Sequence, residues 1–380
     1  MIYLDYAATS PVSKEVADAV CQTLIQDFSN PSAQYAPGLR VKQRLEDWRG
    51  IISNALDCDP ERLFFTSCGT ESDNWAISAA CWQNRRIGRH IITTAVEHNA
   101  ILKYCEKIKN NNWRVTYIQP DKNGDIYTQD ILNAITPETA LISVMLVNNE
   151  TGNRYPVETI AREVSKINPD ILLHTDAVQG FLKIPFSART SGLDFISISA
   201  HKIGGPKGIG ALYISPRVKN PRPFIFGGGQ ERGLRSGTEA TSQIAGFAKA
   251  VEIYQDYLKS PKYQDFLNLR AYAIQELQSV PDCVMIGGGN NPAPHILSAA
   301  LTGWPSQNII NDLSSQEIYI SAGSACHRGK ISHVTAALKL SKKMAQSAFR
   351  LSFGPDTTKA DIDACVQALR RHHDTRFPML

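Results

Sequence analysis

Seven short runs rich in β-branched and aliphatic residues lie between residues 63 and 214, and they constrain the fold more than any other feature of the chain. They are Leu63 to Thr66, His90 to Thr94, Val115 to Ile118, Ala140 to Val147, Ile171 to Thr175, Phe195 to Ser199 and Gly210 to Ile214. Helix-like stretches separate many of them, as at Glu71 to Trp82, Asn99 to Lys109 and Val157 to Ile167. Upstream, Val41, Leu45, Trp48, Ile52 and Leu56 recur every three or four residues, the spacing of an amphipathic helix. Strand–helix alternation of this kind predicts an α/β fold with a mostly parallel seven-stranded sheet and helices on both faces. In such sheets ligands sit beyond the carboxyl ends of the strands.

The pattern changes near residue 255. A helical stretch from Glu239 to Leu258 ends at Ser260-Pro261, and a second α+β set runs to the C-terminus. The chain has 380 residues, enough for more than one domain. We read a large domain over 12–255 and a smaller α+β domain made of 256–380 together with 1–11. The longest apolar stretch, Ala140 to Val147, is far short of the about 20 residues a membrane helix needs. Asp5 stands where a signal peptide would be basic and then apolar. The expectation is a cytoplasmic protein with no membrane contact. Forty basic residues against 36 acidic ones are spread along the chain, which argues against direct nucleic-acid binding. The one cluster, Arg370-Arg371-His372-His373, reads as a solvated helix end. Eight dispersed cysteines contain no CxxC and no zinc-finger spacing, so neither a disulfide framework nor a metal site is expected.

Three segments carry chemistry. Phe195 to Ser199 runs into Ala200-His201-Lys202 and then a Gly/Pro-rich turn. A lysine at the mouth of an apolar strand is partly desolvated, which favours the nucleophilic amine and Schiff-base chemistry; the alternative is a surface lysine in a turn. Upstream, Ile171 to Thr175 leads into Asp176 and, three residues on, Gln179. An aspartate there can pair with the protonated pyridine nitrogen of pyridoxal phosphate, or it can cap the following helix. Third, Phe64 to Asn74 passes from a strand through Cys68-Gly69-Thr70 into a helix, whose N-terminus is a ready phosphate site.

In this order the segments resemble the cysteine desulfurases, the NifS/IscS-like branch of the class V aminotransferases, which have the pyridoxal-phosphate fold type I. The likeness continues through Leu4 to Thr9, Val96 to Asn99, Val147 to Gly152, Gly227 to Thr238, Ser321 to Cys326 and Arg350 to Gly354, and covers nearly the whole chain. The resemblance implies pyridoxal 5'-phosphate held covalently by Lys202, with Asp176 on its ring nitrogen and Gln179 on its ring hydroxyl. His98 would stack on the ring and shuttle protons. Gly69, Thr70, Ser199 and His201 would hold the phosphate, and Thr238 would reach the partner subunit's phosphate in a homodimer. Asn149 and Arg350 would fix the carboxylate of the substrate, L-cysteine. Cys326, carried by the smaller domain, would take the sulfur as a persulfide and deliver it to an acceptor protein, such as an iron–sulfur scaffold or a thiolation enzyme, while alanine leaves.

The chain departs from the pattern at Ala200 and Cys68, where relatives often have glycine, and at Gly205, where they often have tyrosine. After Cys326 it reads His327-Arg328-Gly329-Lys330, a basic run suited to lowering a thiolate pKa or meeting an anionic partner. Two other functions remain open on sequence. One is a selenocysteine or cystine lyase of the same fold, which would need no persulfide on Cys326. The other is a non-catalytic sulfur-trafficking scaffold, against which Lys202, Asp176, Gln179 and His98 all speak.

Overall fold

A computed structural model describes residues 1–322 and 331–375. The chain opens with a two-residue strand, β1 (Ile2–Tyr3), and two helices, α1 (Lys14–Gln26) and α2 (Ala36–Leu56). Ser13 starts α1 by accepting a hydrogen bond from the backbone N–H of Val16. The seven strands that follow are β2 (Leu63–Thr66), β3 (His90–Thr94), β4 (Arg114–Ile118), β5 (Thr139–Ser143), β6 (Leu172–Asp176), β7 (Phe195–Ser199) and β8 (Gly210–Ile214). They form one sheet in the order β2-β8-β7-β6-β5-β3-β4. Contacts from β7 through β6, β5 and β3 to β4 are all parallel, while β8 is antiparallel to both β7 and β2. Thus β2 runs the same way as β7, and the carboxyl ends of β2, β3, β6 and β7 open on one edge.

The strand runs are continuous and apolar because both faces are covered; β2, β3, β5, β6, β7 and β8 are buried along their whole length. The helices α3 (Gly69–Gln83) and α4 (Asn99–Lys109) follow β2 and β3. The sequence expectation for the strand starting at Ala140 overshoots. The regular ladder to β6 ends at Ser143; beyond it the N–H groups of Val144 and Leu146 still donate to the β6 carbonyls of His174 at 3.1 Å and Asp176 at 2.9 Å, while that of Met145 donates to the Glu97 carboxylate at 3.0 Å. Residues 144 to 147 are buried and continue along β6 by those two bonds, which accounts for their apolar character beyond the regular strand.

A helix over Thr241–Lys259 is followed at once by another over Pro261–Leu277, with proline at its first position. Beyond them β9 (Cys283–Ile286), β10 (Ile296–Leu301) and β12 (Ala348–Ser352) make an antiparallel sheet in the order β12-β10-β9, and β11 (Ile318–Tyr319) pairs with β1. Leu4 is buried in a cluster whose other fully buried members, such as Phe266, Leu297, Phe349 and Leu369, come from this C-terminal part. The backbone N–H of Ser352 donates to the Leu4 carbonyl at 2.8 Å. The first six residues therefore run through the C-terminal layer, and Ala7 and Ala8 emerge at the strand edge. Among the described residues, no helix is long and apolar enough to cross a membrane.

Candidate active site

At the common carboxyl edge lies a cavity of ≈ 290 Å³. Its walls come from Cys68, Gly69, Thr70 and Asp73 of the β2–α3 turn, from His98 and Asn149, from Asp176, Val178 and Gln179 after β6, and from Ser199, His201 and Lys202 after β7, with Ala7, Ala8, Met145 and Arg350 completing it. The fold thus gathers Gly69, Thr70, His98, Asn149, Asp176, Gln179, Ser199, His201, Lys202 and Arg350, which the sequence scatters over 282 positions, 350 less 68. Thr238 is exposed and is not among the residues lining the cavity. Cys326 lies outside the described residues.

Local structure fixes each group. Lys202 follows β7 in a single 3-10 turn, Ala200–Lys202, and its Nζ donates to the carbonyls of Ala7 at 2.8 Å and Ala8 at 2.7 Å. Gln179 Nε2 donates to the same Ala7 carbonyl at 2.9 Å, while its Oε1 is buried with no partner among the described residues. Ser199 Oγ is in the same condition. At the start of α3 no side chain caps the helix, which leaves its first-turn N–H groups to an anion.

His98 is the N-cap of α4: its Nδ1 accepts from the backbone N–H of Ala100 at 3.2 Å. That bond assigns the ring hydrogen to Nε2 in the neutral imidazole. Burial, with the Lys202 and His333 charges adding, pushes the His98 pKa down against the pull of Asp176. The Asp176 carboxyl is pushed up to about 7, first by burial and then by the Asp73 carboxylate. The backbone N–H of Val178 donates to it at 2.9 Å. His201, half-buried and next to Lys202, is pushed down to about 3, first by its desolvation and then by the Lys202 charge, and is neutral; its Nδ1 lies 3.2 Å from the Thr9 hydroxyl.

Arg350 on β12 is only 2 % exposed. Its Nη2 donates to Asp5 at 2.7 Å and its Nη1 to the Asn149 carbonyl at 2.6 Å, so the fork is already engaged on two sides. Its backbone also exchanges hydrogen bonds with Ser321. On the far side of residues 323–330, Ser332 Oγ donates to Glu150 at 2.6 Å, and His333 Nε2 meets the Glu97 carbonyl at 2.8 Å. The described chain on either side of that segment is therefore tied to neighbours of Arg350, Asn149 and His98.

Sequence reading gave no role to Asp5, Ala7, Ala8 or Asp73. The carbonyls of Ala7 and Ala8 act through backbone, which composition does not encode; Asp5 and Asp73 sat inside recognised motifs without a partner to reveal their use. Two departures noted in the sequence are coupled in space. A Cβ on Gly205 would stand 2.7 Å from the Ala200 Cβ, so Ala200 fills room that any side chain at 205 would need.

The chain belongs to the aminotransferase class-V family, a family of pyridoxal-phosphate enzymes, whose profile it matches over residues 2–365. Within that family it stands among the cysteine desulfurases. It is 36 % identical over 373 residues to cysteine desulfurase IscS of Clostridium botulinum (strain Hall), covering 97 % of this chain and 93 % of that protein. Among solved structures it resembles a NifS-like protein, with a TM-score of 0.92 and 32 % identity over 99 % of this chain and 100 % of that one. It also resembles SspA, solved in complex with cysteine, with a TM-score of 0.81 and 32 % identity over 94 % and 100 % of the two chains.

The residues present fit the family's cofactor. Ser199 Oγ and Gln179 Oε1 are buried and lack partners in the cavity wall, an arrangement that costs free energy unless a polar group arrives. The raised Asp176 carboxyl is likewise suited to a cationic partner.

Proposed function

We propose that this chain is a cysteine desulfurase that uses pyridoxal 5'-phosphate to convert L-cysteine to L-alanine and leaves the sulfur on Cys326 for an acceptor protein. The single observation that carries the reading is the convergence of Lys202, Asp176, Gln179 and His98 on one cavity, with Ser199 and the start of α3 at its wall. Gly69, Thr70, Ser199 and His201 would hold the phosphate, Asp176 the ring nitrogen and Gln179 the ring hydroxyl. When bound, the cofactor supplies an electron sink for charge developing at the substrate α-carbon.

The chain's own groups do the rest. Lys202 Nζ, held by the Ala7 and Ala8 carbonyls, is positioned to carry the cofactor and to take the α-proton. His98 bears its hydrogen on Nε2 and offers it from the cavity wall as a hydrogen bond; to take the substrate thiol proton there, the neutral ring must first move its hydrogen to Nδ1 and give up the bond from Ala100. The Cys326 thiolate attacks the substrate sulfur, the S–C bond breaks, and the electron pair returns toward the carbon that becomes the alanine methyl group. Thr238, exposed in one chain, is free to serve a second copy, so a homodimer completes the proposal.

Arg350 meets the substrate carboxylate in competition with Asp5. Arg350→Ala should raise KM for cysteine by the loss of a charge-assisted pair worth roughly 1.5 to 3 kcal/mol, with a smaller effect on kcat. It also leaves Asp5 without its cation, so a lower melting temperature accompanies it. An unchanged KM would move the carboxylate site elsewhere. Gly69→Ala tests the phosphate end. Its Cβ would stand 2.7 Å from Val178 Cγ2, and overpacking of this kind costs about 1 to 3 kcal/mol. The variant should lose cofactor on dialysis far faster than wild type; equal retention would take Gly69 out of the cup. For the reaction itself, alanine should form from L-cysteine and not from L-serine; no alanine from a yellow, cofactor-loaded protein would overturn the proposal.

A further inference from the structure

Behind Asp176 lies a second carboxylate. Asp73, in the first turns of α3, is 1 % exposed, and its Oδ1 has no hydrogen-bond partner among the described residues. One carboxylate oxygen of Asp73, one of Asp176 and one ring nitrogen of His98 all lie within 4.8 Å of one another.

The neighbours offer little countercharge. From β6, His174 Nε2 approaches Asp73 Oδ1 at 3.6 Å, but its two ring nitrogens already meet the hydroxyls of Ser143 at 2.8 Å and Ser197 at 3.1 Å. Burial pushes His174 down to about 4, so it is neutral. From the β3–α4 turn comes a third buried carboxyl, Glu97, pushed up to about 8 by burial, with Asp176 and Asp73 adding to the rise. From β7, Ser197 gives Asp73 a hydrogen bond that opposes the burial, yet Asp73 is still pushed up to about 7. His98 is itself held neutral by burial and Lys202. Two carboxylates this close in a dry site do not both ionise while one proton can serve them.

We propose that Asp73 and Asp176 share one proton, and that Asp73 is a positioning residue for the reaction. It takes the proton when Asp176 faces the cationic ring nitrogen of the cofactor, and so limits the negative charge that nitrogen meets to one. The inference rests on the cofactor reading above. Only a proton moves, from one carboxyl oxygen to the other, and no bond between heavier atoms changes.

The test is Asp73→Asn in the cofactor-loaded enzyme, since asparagine keeps the shape and one donor. Infrared difference spectra at pH 6, wild type minus variant, should show the loss of a protonated carboxyl. The cofactor absorbance of the wild type should titrate once more above about pH 7, and the variant should lack that step. Stability gives a third reading. A carboxyl whose pKa is raised on folding contributes stability below its unfolded pKa that is lost as pH rises toward the folded one. The variant should therefore gain on wild type between about pH 4 and pH 7, by a margin that stays constant above. If the infrared difference shows loss of an ionised carboxylate instead, Asp73 carries its own charge and the proposal fails. If Asp73→Asn does not fold, Asp176→Asn serves: removing its half of the pair should shift the remaining protonated carboxyl to a lower pH, and no shift would overturn the sharing. A colourless wild type would sink the cofactor reading separately, because the infrared difference is still readable without the cofactor.

Discussion

Replacing Lys202 by alanine should give a folded protein without the absorbance of a lysine-linked cofactor and with no measurable desulfurase activity. Two functions leave with one atom. Nζ is the amine at the cavity wall that the Ala7 and Ala8 carbonyls orient, and it is placed both to bind the cofactor and to accept the α-proton. Loss of the proton transfer alone costs roughly 10²- to 10⁴-fold. Loss of the covalent anchor adds to that. Stability should change little, because the aliphatic stem lines a cavity rather than filling the core. The proper control is Lys183. It is fully buried, its Nζ has no partner among the described residues, and burial pushes it down to about 7, with the charges of Lys202 and Arg350 adding. It is thus a second buried amine that could compete for the cofactor. Borohydride reduction of the wild type followed by peptide mapping should mark Lys202; a mark on Lys183, or colour in Lys202→Ala that borohydride fixes at another lysine, would overturn the assignment.

The second large effect belongs to Cys326. Cys326→Ala should still bind cysteine, with the change in absorbance that binding produces, and sulfur release should fall to background. Without a thiolate to attack the substrate sulfur, cleavage of the S–C bond leaves that sulfur with no acceptor. Ser321, before 323–330, pairs with the Arg350 backbone, and His333, after it, meets the carbonyl of Glu97, the residue before His98. Turnover at the normal rate would favour the lyase reading, in which the protein thiol is not needed.

Much of this was readable in the sequence, for physical reasons that also mark the limits. The strand runs were legible because a parallel sheet covered on both faces demands continuous apolar segments. Asn99–Lys109 and Val157–Ile167 coincide with their expected helices, since each has a single apolar stripe. Ala140 to Val147 overshot the strand because its second half stays buried and keeps two backbone bonds to β6 after the regular ladder ends. At the site, side chains with a chemical signature, such as Lys202, Asp176 and His98, could be picked out from type and position. The carbonyls of Ala7 and Ala8 could not, because every residue has one. Asp73 could not either: its importance comes from standing behind Asp176 across the α3–sheet packing, a distance that no spacing along the chain reports. The His98 tautomer was equally hidden until its capping bond to Ala100 was seen.

The most direct measurement is mass spectrometry of the wild-type protein after one equivalent of L-cysteine, without reductant. The account requires one additional sulfur atom on the peptide carrying Cys326, in an amount equal to the alanine formed. Alanine produced with Cys326 unmodified and the sulfur recovered free in solution would contradict it.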